Sequence, residues 1–106
     1  IFDQEEVYPY LTEGIGEDII PKNVNFDIID HFEKVSDRDA ALMTRKLATE
    51  EGIFAGNSCG AAIAGALQLE SQIKSTDVVV IILPDHGSRY VGKVYNDDWM
   101  KKNNFL

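Results

Sequence analysis

The pentapeptide Gly56-Asn-Ser-Cys-Gly60 is the part of the sequence whose residue types most directly suggest chemistry. It has the G-x-S-x-G spelling of a nucleophile elbow, in which a serine on a sharp strand-to-helix turn attacks a carbonyl carbon. Three interpretations of Ser58 are open at this point. The serine is a nucleophile, a polar group that holds a ligand, or the N-cap of a helix.

The nucleophile interpretation requires an acid and then a histidine further along the chain. Asp77 or Asp85, followed by His86, meets that order. However, Asp85 and His86 are adjacent, which makes an in-line relay between their side chains awkward. An α/β-hydrolase sheet also needs about twice this length of chain. Both features disfavour a serine esterase, which stays as an alternative.

The elements that would position Ser58 are predicted from capping signals and hydrophobic spacing. Ser36 caps a first helix, Asp39 completes a capping box, and Gly52 ends that helix. Residues 53–55 then read as a short buried strand. A second helix is predicted over residues 58–72, and its many small apolar residues indicate that it is buried and that another backbone approaches it closely.

The rest of the chain predicts an α/β fold. Residues 77–83 are a β-branched run, typical of a strand that helices cover on both faces. Residues 28–29 and 31–35 allow a short strand, and short helices are predicted over residues 88–95 and 97–103, the last capped by Asp97. The helix–strand–helix–strand order predicts short parallel strands with packed helices. This arrangement is an incomplete three-layer sheet, which would be one part of a larger α/β domain.

Composition and charge narrow the function classes. The 106 residues, 44% of them hydrophobic and 26% charged, describe one globular domain, with an irregular loop segment over 1–25 and an α/β unit over 26–106. The net charge is −8, and residues 1–39 carry 11 acidic against 3 basic side chains. Because no basic surface is available to neutralise phosphates, nucleic-acid binding is excluded.

Other residue types exclude further kinds of site. The longest apolar run, residues 78–83, is too short to span a membrane. A single cysteine, Cys59, excludes an internal disulfide and a cysteine-based zinc site, and it favours a cytoplasmic location. His31 and His86 are isolated in the sequence, so no metal site is expected.

The ligand-binding interpretation gains support from two further segments. Ser58 would stand at a helix N-terminus after a strand, where open α/β sheets bind their ligands. A second strand end lies at Leu83-Pro-Asp-His-Gly87, and Thr12-Glu-Gly-Ile-Gly16 is a loop whose glycines let the backbone approach a flat ligand. We expect the two strand-end turns to line one crevice. The joint occurrence of the three segments is far more specific than any one of them.

Taken together, these segments resemble fold type II pyridoxal-phosphate enzymes of the cysteine synthase and cystathionine β-synthase family. The resemblance covers about residues 8–106 and corresponds to the C-terminal part of the catalytic region. It is carried by Thr12–Pro21, Gly52–Ala61 and Val79–Asp85. The closing stretch Tyr95-Asn-Asp-Asp-Trp-Met100 is most similar to bacterial cystathionine β-synthases.

The resemblance implies pyridoxal 5'-phosphate as cofactor and two sets of site residues. Ser58 would lie beside the pyridine nitrogen of the cofactor, with the loop glycines and the second strand end nearby. The implied cofactor contacts are Ser58, Gly14, Gly16, Pro84 and Asp85. The implied substrate pocket consists of Glu13, Gly14 and Ile15.

The implied reaction is a β-replacement in sulfur amino-acid metabolism, in which serine and homocysteine give cystathionine. Cysteine synthase, acting on O-acetylserine and sulfide, is the nearest alternative, and a non-catalytic interaction domain is one of another class. The family's Schiff-base lysine lies upstream of these residues, so no catalytic residue is expected here and this fragment alone is expected to be inert. The expected partners are small amino-acid substrates and a second copy of the chain, a homodimer formed through surfaces that truncation exposes.

Overall fold

The computed structural model describes residues 9–16 and 19–106, so the predictions that fall on residues 1–8, 17 and 18 lie outside the described residues. Three α-helices form the framework: α1 (Asp37–Glu51), α2 (Asn57–Gln68) and α3 (Asp97–Lys102). Short 3₁₀ turns cover Phe26–Ile28, Glu70–Gln72 and Gly87–Tyr90. Helices α1 and α2 pack against each other, and the other segments lie around this pair.

Helix α1 has the ends that the sequence predicts. The Ser36 hydroxyl oxygen accepts a hydrogen bond from the Asp39 backbone N–H at 3.1 Å, and the hydroxyl donates to the Asp39 carboxylate at 2.6 Å. At the other end, Gly52 adopts the left-handed conformation with φ of 69°, which glycine reaches without steric cost. The prediction of this helix is confirmed.

Helix α2 begins earlier than predicted, and Ser58 is not its cap. The N-cap is Gly56, with φ −79° and ψ 173°, and Asn57 is the first helical residue. Gly56 is held in this extended conformation because its N–H donates to the Asp85 carbonyl at 3.2 Å. The helix also ends sooner, at Gln68. The interpretation of Ser58 as an N-cap is therefore wrong, and the serine lies in the first turn of α2.

The close approach of α1 to α2 depends on Gly60. A Cβ atom at this position would lie 2.1 Å from Thr44 Oγ1 and 2.2 Å from the Ala40 carbonyl oxygen. Both distances are far below van der Waals contact, so the two backbones meet only because Gly60 has no side chain. This confirms the prediction that small residues of α2 permit close packing.

The predicted parallel sheet is not formed within residues 9–16 and 19–106. The one β-type pairing there is an isolated antiparallel bridge between Ala55 and His86. Residues 77–83 have no regular secondary structure and no partner strand in the described chain, and Val78, Val80 and Ile82 are 91%, 83% and 78% exposed. A strand is defined by the neighbour that accepts its hydrogen bonds, and β-branched composition alone does not supply one.

Three smaller predictions are corrected as well. Residues 53–55 are not a buried strand, because Ile53 and Phe54 are 43% and 39% exposed and only Ala55 is buried. No strand forms over residues 28–35, and Ile28 is instead the last residue of the 3₁₀ turn Phe26–Ile28, which the Asn25 side chain caps. Helix α3 starts after Asn96, whose side chain accepts the Trp99 N–H at 2.9 Å, so Asp97 is not its cap.

Two apolar clusters hold the helices together. The first joins α1 to the C-terminal segment through Ala41, Tyr90, Val94, Met100 and Phe105. The second lies under the start of α2 and consists of Leu47, Ala55 and Cys59. None of the helices in the described part of the chain has the length and apolar character that a bilayer crossing needs. In the same residues, no three potential metal ligands come together.

Replacing Gly60 with alanine tests the helix contact. Gly60→Ala is expected to lower the free energy of unfolding by about 1–3 kcal/mol or more, because the new methyl group overlaps Thr44 and the Ala40 carbonyl. Urea denaturation measures the change.

Gly65→Ala is the matched control in the same helix. A Cβ there would meet Glu33 Cβ at 3.5 Å and Val35 Cγ2 at 3.6 Å, which is ordinary contact. Since alanine is favoured over glycine inside helices by up to about 1 kcal/mol, this variant should be neutral or stabilised. Equal losses in the two variants would contradict the account of the interface.

Candidate functional site

The first turn of α2 forms one wall of a cavity of about 690 Å³. Ser58, together with Ala61, Ala62 and Gly65, lines it on the helix side. The loop over residues 12–16 and the segment over residues 31–35 form the other walls. This volume lies in the range of pockets that bind small molecules and cofactors, which is about 300–1,000 Å³.

The loop over residues 12–16 is anchored to the N-terminus of α1 by one carboxylate. Asp37 accepts hydrogen bonds from the backbone N–H of Leu11 at 2.6 Å and of Thr12 at 2.8 Å. The Thr12 hydroxyl donates to the same carboxylate at 2.6 Å. Because hydrogen bonds to a charged acceptor are stronger than neutral ones, Asp37 sets the position of this loop.

Helix α2 is tied into the same network by Asn57. The Asn57 side-chain N–H donates to Thr12 Oγ1 at 3.1 Å, and the Thr44 hydroxyl lies 3.4 Å from both the side-chain and the backbone oxygen of Asn57. Thr12, Thr44 and Asn57 are all buried. The network therefore joins the loop, α1 and α2 directly beside Ser58.

The two loop glycines adopt backbone conformations that other residues reach only with strain. Gly14 has φ of 83° and Gly16 has φ of 78°. Gly16 also lies against the ring of Tyr10, since a Cβ there would be 3.2 Å from the ring. These conformations bring Ile15 and Gly16 to the wall of the cavity that Ser58 also lines.

The turn at Gly56 and the turn at Asp85 lie side by side, as the sequence predicts. Gly56 N–H donates to the Asp85 carbonyl at 3.2 Å, and Gly87 N–H donates to the Phe54 carbonyl at 3.0 Å. The two turns do not open into the same cavity, however. Pro84 and Asp85 are not among the described residues that line the space beside Ser58.

Asp85 instead contacts Tyr90, in the C-terminal segment, and Cys59, in the first turn of α2. Its carboxylate accepts a hydrogen bond from the Tyr90 hydroxyl at 2.6 Å, and Cys59 Sγ lies 3.5 Å from its carbonyl oxygen. Glu13 likewise points away from the cavity, into an ion pair with Lys93. Of the predicted site residues, the structure thus brings together Ser58, Ile15 and Gly16. The roles of Pro84, Asp85 and Glu13 stay predictions.

Four residues that hold the site together were not identified from the sequence: Thr12, Asp37, Asn57 and Tyr90. Thr12 and Asn57 belong to the two glycine-containing segments that were singled out, so their polar side chains were a usable signal. No separate signal in the sequence pointed to Asp37, because the capping box of Ser36 and Asp39 already accounts for the start of α1. Tyr90 lies in a segment whose spacing predicted only a short helix.

Two tyrosines beside the Gly56 turn have raised pKa values. The hydrogen bond to Asp85, followed by burial and the charge of the same carboxylate, raises the pKa of Tyr90 from 10.0 to about 12. Burial raises the pKa of Tyr95, whose hydroxyl donates to the Ala55 carbonyl at 2.7 Å. Both side chains are therefore neutral hydrogen-bond donors at neutral pH.

Comparisons with protein families and curated proteins agree on one class of enzyme. The family model described as "Pyridoxal-phosphate dependent enzyme" matches residues 2–85. A cystathionine beta-synthase from Dictyostelium discoideum is 38% identical over 97 residues, which is 92% of this chain and 20% of the relative. One from Oryctolagus cuniculus is 36% identical over 98% of this chain and 19% of the relative. The chain thus spans about a fifth of the length of these relatives.

Solved structures give the same result at the level of the backbone. A crystal structure of a hydrogen sulfide-producing enzyme, complexed with an alpha-aminoacrylate intermediate, has a TM-score of 0.73 and 35% identity. The alignment covers 83% of this chain and 26% of that one. O-ureido-L-serine synthase with bound O-ureido-L-serine has a TM-score of 0.80 and 30% identity, over 97% of this chain and 35% of that one.

The raised pKa of Tyr90 gives a pH test of the Asp85 contact. Because the folded state holds the phenolic proton more tightly than the unfolded state, this contact contributes stability that is complete below pH 10.0 and is lost as the pH rises to about 12. The difference in unfolding free energy between wild type and Tyr90→Phe should therefore shrink over this window.

Urea denaturation of both proteins at several pH values between 9 and about 12 measures that difference. Tyr95→Phe, which removes a hydroxyl bonded to a neutral carbonyl, serves as the comparison. A difference for Tyr90→Phe that stays constant across the window would show that its proton is not held by Asp85.

Proposed function

Because this chain belongs to the pyridoxal-phosphate dependent enzyme family, we propose that it is part of a β-replacement enzyme that converts serine and homocysteine to cystathionine. The observation that carries the proposal is the identity of 35–38% to cystathionine beta-synthases over 92–98% of the chain.

The residues at the cavity fit a flat aromatic cofactor. The helix wall is made of small side chains, Ala61, Ala62 and Gly65, which leave room for a ring. The loop contributes the backbone at Gly16 and the Ile15 side chain to the lining, and the ring of Tyr10 lies beside Gly16. We therefore assign Ser58 to the pyridine nitrogen and the Gly14–Gly16 backbone to the edge of the ring and the substrate.

When bound, pyridoxal phosphate supplies an electron sink for the negative charge that develops on the substrate α-carbon. Ser58 adjusts how strong that sink is, because a hydroxyl donates a hydrogen bond without a counter-charge. The N-terminal end of α2 adds a partial positive charge of about half a unit. Both effects disfavour a proton on the pyridine nitrogen. We infer that Ser58 keeps that nitrogen neutral and so favours loss of the β-substituent over transamination.

The network around Asp37 keeps the substrate side of the cavity in place. Asp37 holds Thr12 through its backbone and its hydroxyl, and Asn57 holds the same hydroxyl from α2. Any displacement of the loop over residues 12–16 must break these bonds. The network thereby positions the loop relative to Ser58 before the substrate arrives.

Cysteine synthase activity is the second candidate. It is favoured by the likeness to a hydrogen sulfide-producing enzyme and to O-ureido-L-serine synthase, at TM-scores of 0.73 and 0.80. The esterase alternative is not supported. Asp85 is engaged by Tyr90, and His86 Nδ1 accepts the backbone N–H of Ser88 at 3.2 Å, so the described residues contain no acid–histidine relay directed at Ser58.

Two further features are proposed on the same basis. The lysines of residues 1–106 stand in no segment that resembles the family's cofactor-linking motif, so we expect residues 1–106 alone to lack β-replacement activity. The exposed apolar side chains of Val78, Val80 and Ile82 suit a surface that is covered in the assembled enzyme. A homodimer and a cytoplasmic location stay predictions.

Steady-state assays of the full-length protein separate the two reactions. With serine as first substrate, we expect kcat/KM for homocysteine to exceed that for sulfide. The closing segment over residues 95–100 is the feature that favours this order. A strong preference for O-acetylserine and sulfide would assign cysteine synthase instead, and the absence of bound pyridoxal phosphate would overturn both.

Substituting Ser58 tests its assigned role. Ser58→Asp places a carboxylate beside the pyridine nitrogen and should lower kcat for β-replacement by about tenfold or more, equivalent to about 1.4 kcal/mol in the barrier. Ser58→Asn is the control, because asparagine has nearly the same size as aspartate but carries no charge. Equal kcat values for the two variants would contradict a role for charge at this position.

A further inference from the structure

Tyr90 and Asp85 form a pair that packs directly on the backbone at the start of α2. The Tyr90 hydroxyl donates to Asp85 Oδ2 at 2.6 Å, and Tyr90 is 5% exposed. A Cβ atom on Gly56 would lie 1.9 Å from Asp85 Oδ1 and 2.6 Å from Tyr90 Cε2. No side chain fits between this pair and the N-cap of α2.

The backbone of Asp85 also contacts Gly56. Its carbonyl accepts the Gly56 N–H at 3.2 Å, and Cys59 Sγ lies 3.5 Å from that oxygen and 3.7 Å from Oδ1. Asp85 therefore contacts residues on both sides of Ser58, namely Gly56 and Cys59. Among the described residues, Tyr90 is the only one whose hydroxyl donates a hydrogen bond to the Asp85 carboxylate.

The position of the carboxylate also suits the electrostatics of the helix. A negative charge beside the first turn is stabilised by the exposed N–H groups and the partial positive end of α2. Without the Tyr90 hydroxyl, the half-buried carboxylate would lose a strong hydrogen bond and turn towards water. The packing of the carboxylate against Gly56 and its 3.7 Å contact with Cys59 Sγ would then be lost. The first turn of α2 would keep only the contacts of the Asp85 backbone carbonyl on this side and would be freer to shift.

We propose that Tyr90 is a positioning residue, which holds Asp85 against Gly56 and thereby sets the place of the Ser58 hydroxyl in the cavity. This inference rests on the proposed function, since it gives Ser58 a cofactor to face. Tyr90 lies beyond residues 2–85, the part of the chain that the family model matches. It acts through Asp85 and contacts neither substrate nor cofactor.

Tyr90→Phe in the full-length protein removes the hydroxyl and keeps the ring. We expect a shift in the absorption spectrum of the bound cofactor and a fall in kcat of about tenfold, with KM for serine changed by less than about twofold. Tyr95→Phe is the matched control. It also removes one tyrosine hydroxyl beside the Gly56 turn, but that hydroxyl donates to the Ala55 carbonyl and does not contact Asp85. Its spectrum should equal that of wild type.

A second measurement needs no cofactor. Cys59 is the only cysteine in the 106 residues, is buried and touches Asp85, so its rate of alkylation reports opening of the first turn of α2. Mass spectrometry of the peptide that contains Cys59 should show labelling about tenfold faster in Tyr90→Phe than in Tyr95→Phe. Adding Tyr90→Phe to Asp85→Ala should accelerate it no further, because the two residues act as one unit.

The outcomes separate the two hypotheses. Equal labelling and equal cofactor spectra for Tyr90→Phe and Tyr95→Phe would overturn the positioning role, as would additive effects of Tyr90→Phe and Asp85→Ala. A wild-type protein that carries no pyridoxal phosphate would overturn the proposed function. In that case the labelling rates still decide whether Tyr90 fixes the start of α2.

Discussion

The two glycines that flank Ser58 are the constraint on which the rest of the structure depends. At Gly60 the backbone of α2 lies against α1, and at Gly56 it lies against Asp85 and Tyr90, with no room for a Cβ atom at either place. Ser58 is held between these two contacts in the first turn of the helix. The G-x-S-x-G pattern thus reflects close packing on both sides of a serine that faces a cavity, and nucleophilic chemistry is not needed to explain it.

A polar network then attaches an irregular segment to this packed unit. Asp37 binds the loop at Thr12, and Asn57 binds the same threonine from α2. The loop carries Gly14 and Gly16 in left-handed conformations, which bring its backbone to the cavity. Helix α2 therefore forms one wall of the cavity and irregular segments form the others, and the position of the loop over residues 12–16 relative to α2 depends on a few buried hydrogen bonds. This division suits a site that holds a rigid cofactor on one side and exchanges substrates on the other.

Local signals in the sequence were enough to predict the elements that local interactions determine. Ser36 and Gly52 define α1, and the small residues of α2 indicate its burial. The sheet could not be predicted in this way, because residues 77–83 need a hydrogen-bonding neighbour that no local signal supplies. The same limit applies at the site. Motif patterns singled out Ser58 and the loop glycines, and the family resemblance gave them their roles, whereas the Tyr90–Asp85 and Thr12–Asp37 contacts join residues through side-chain geometry that spacing does not reveal.

A crystal structure of the full-length protein with pyridoxal phosphate bound tests the central claim most directly, since it gives the distance from Ser58 Oγ to the pyridine nitrogen. The account predicts a hydrogen bond of about 2.7–3.2 Å, with the Gly14–Gly16 backbone along the edge of the ring. A cofactor bound elsewhere, or a Ser58 hydroxyl directed away from the pyridine nitrogen, would contradict it.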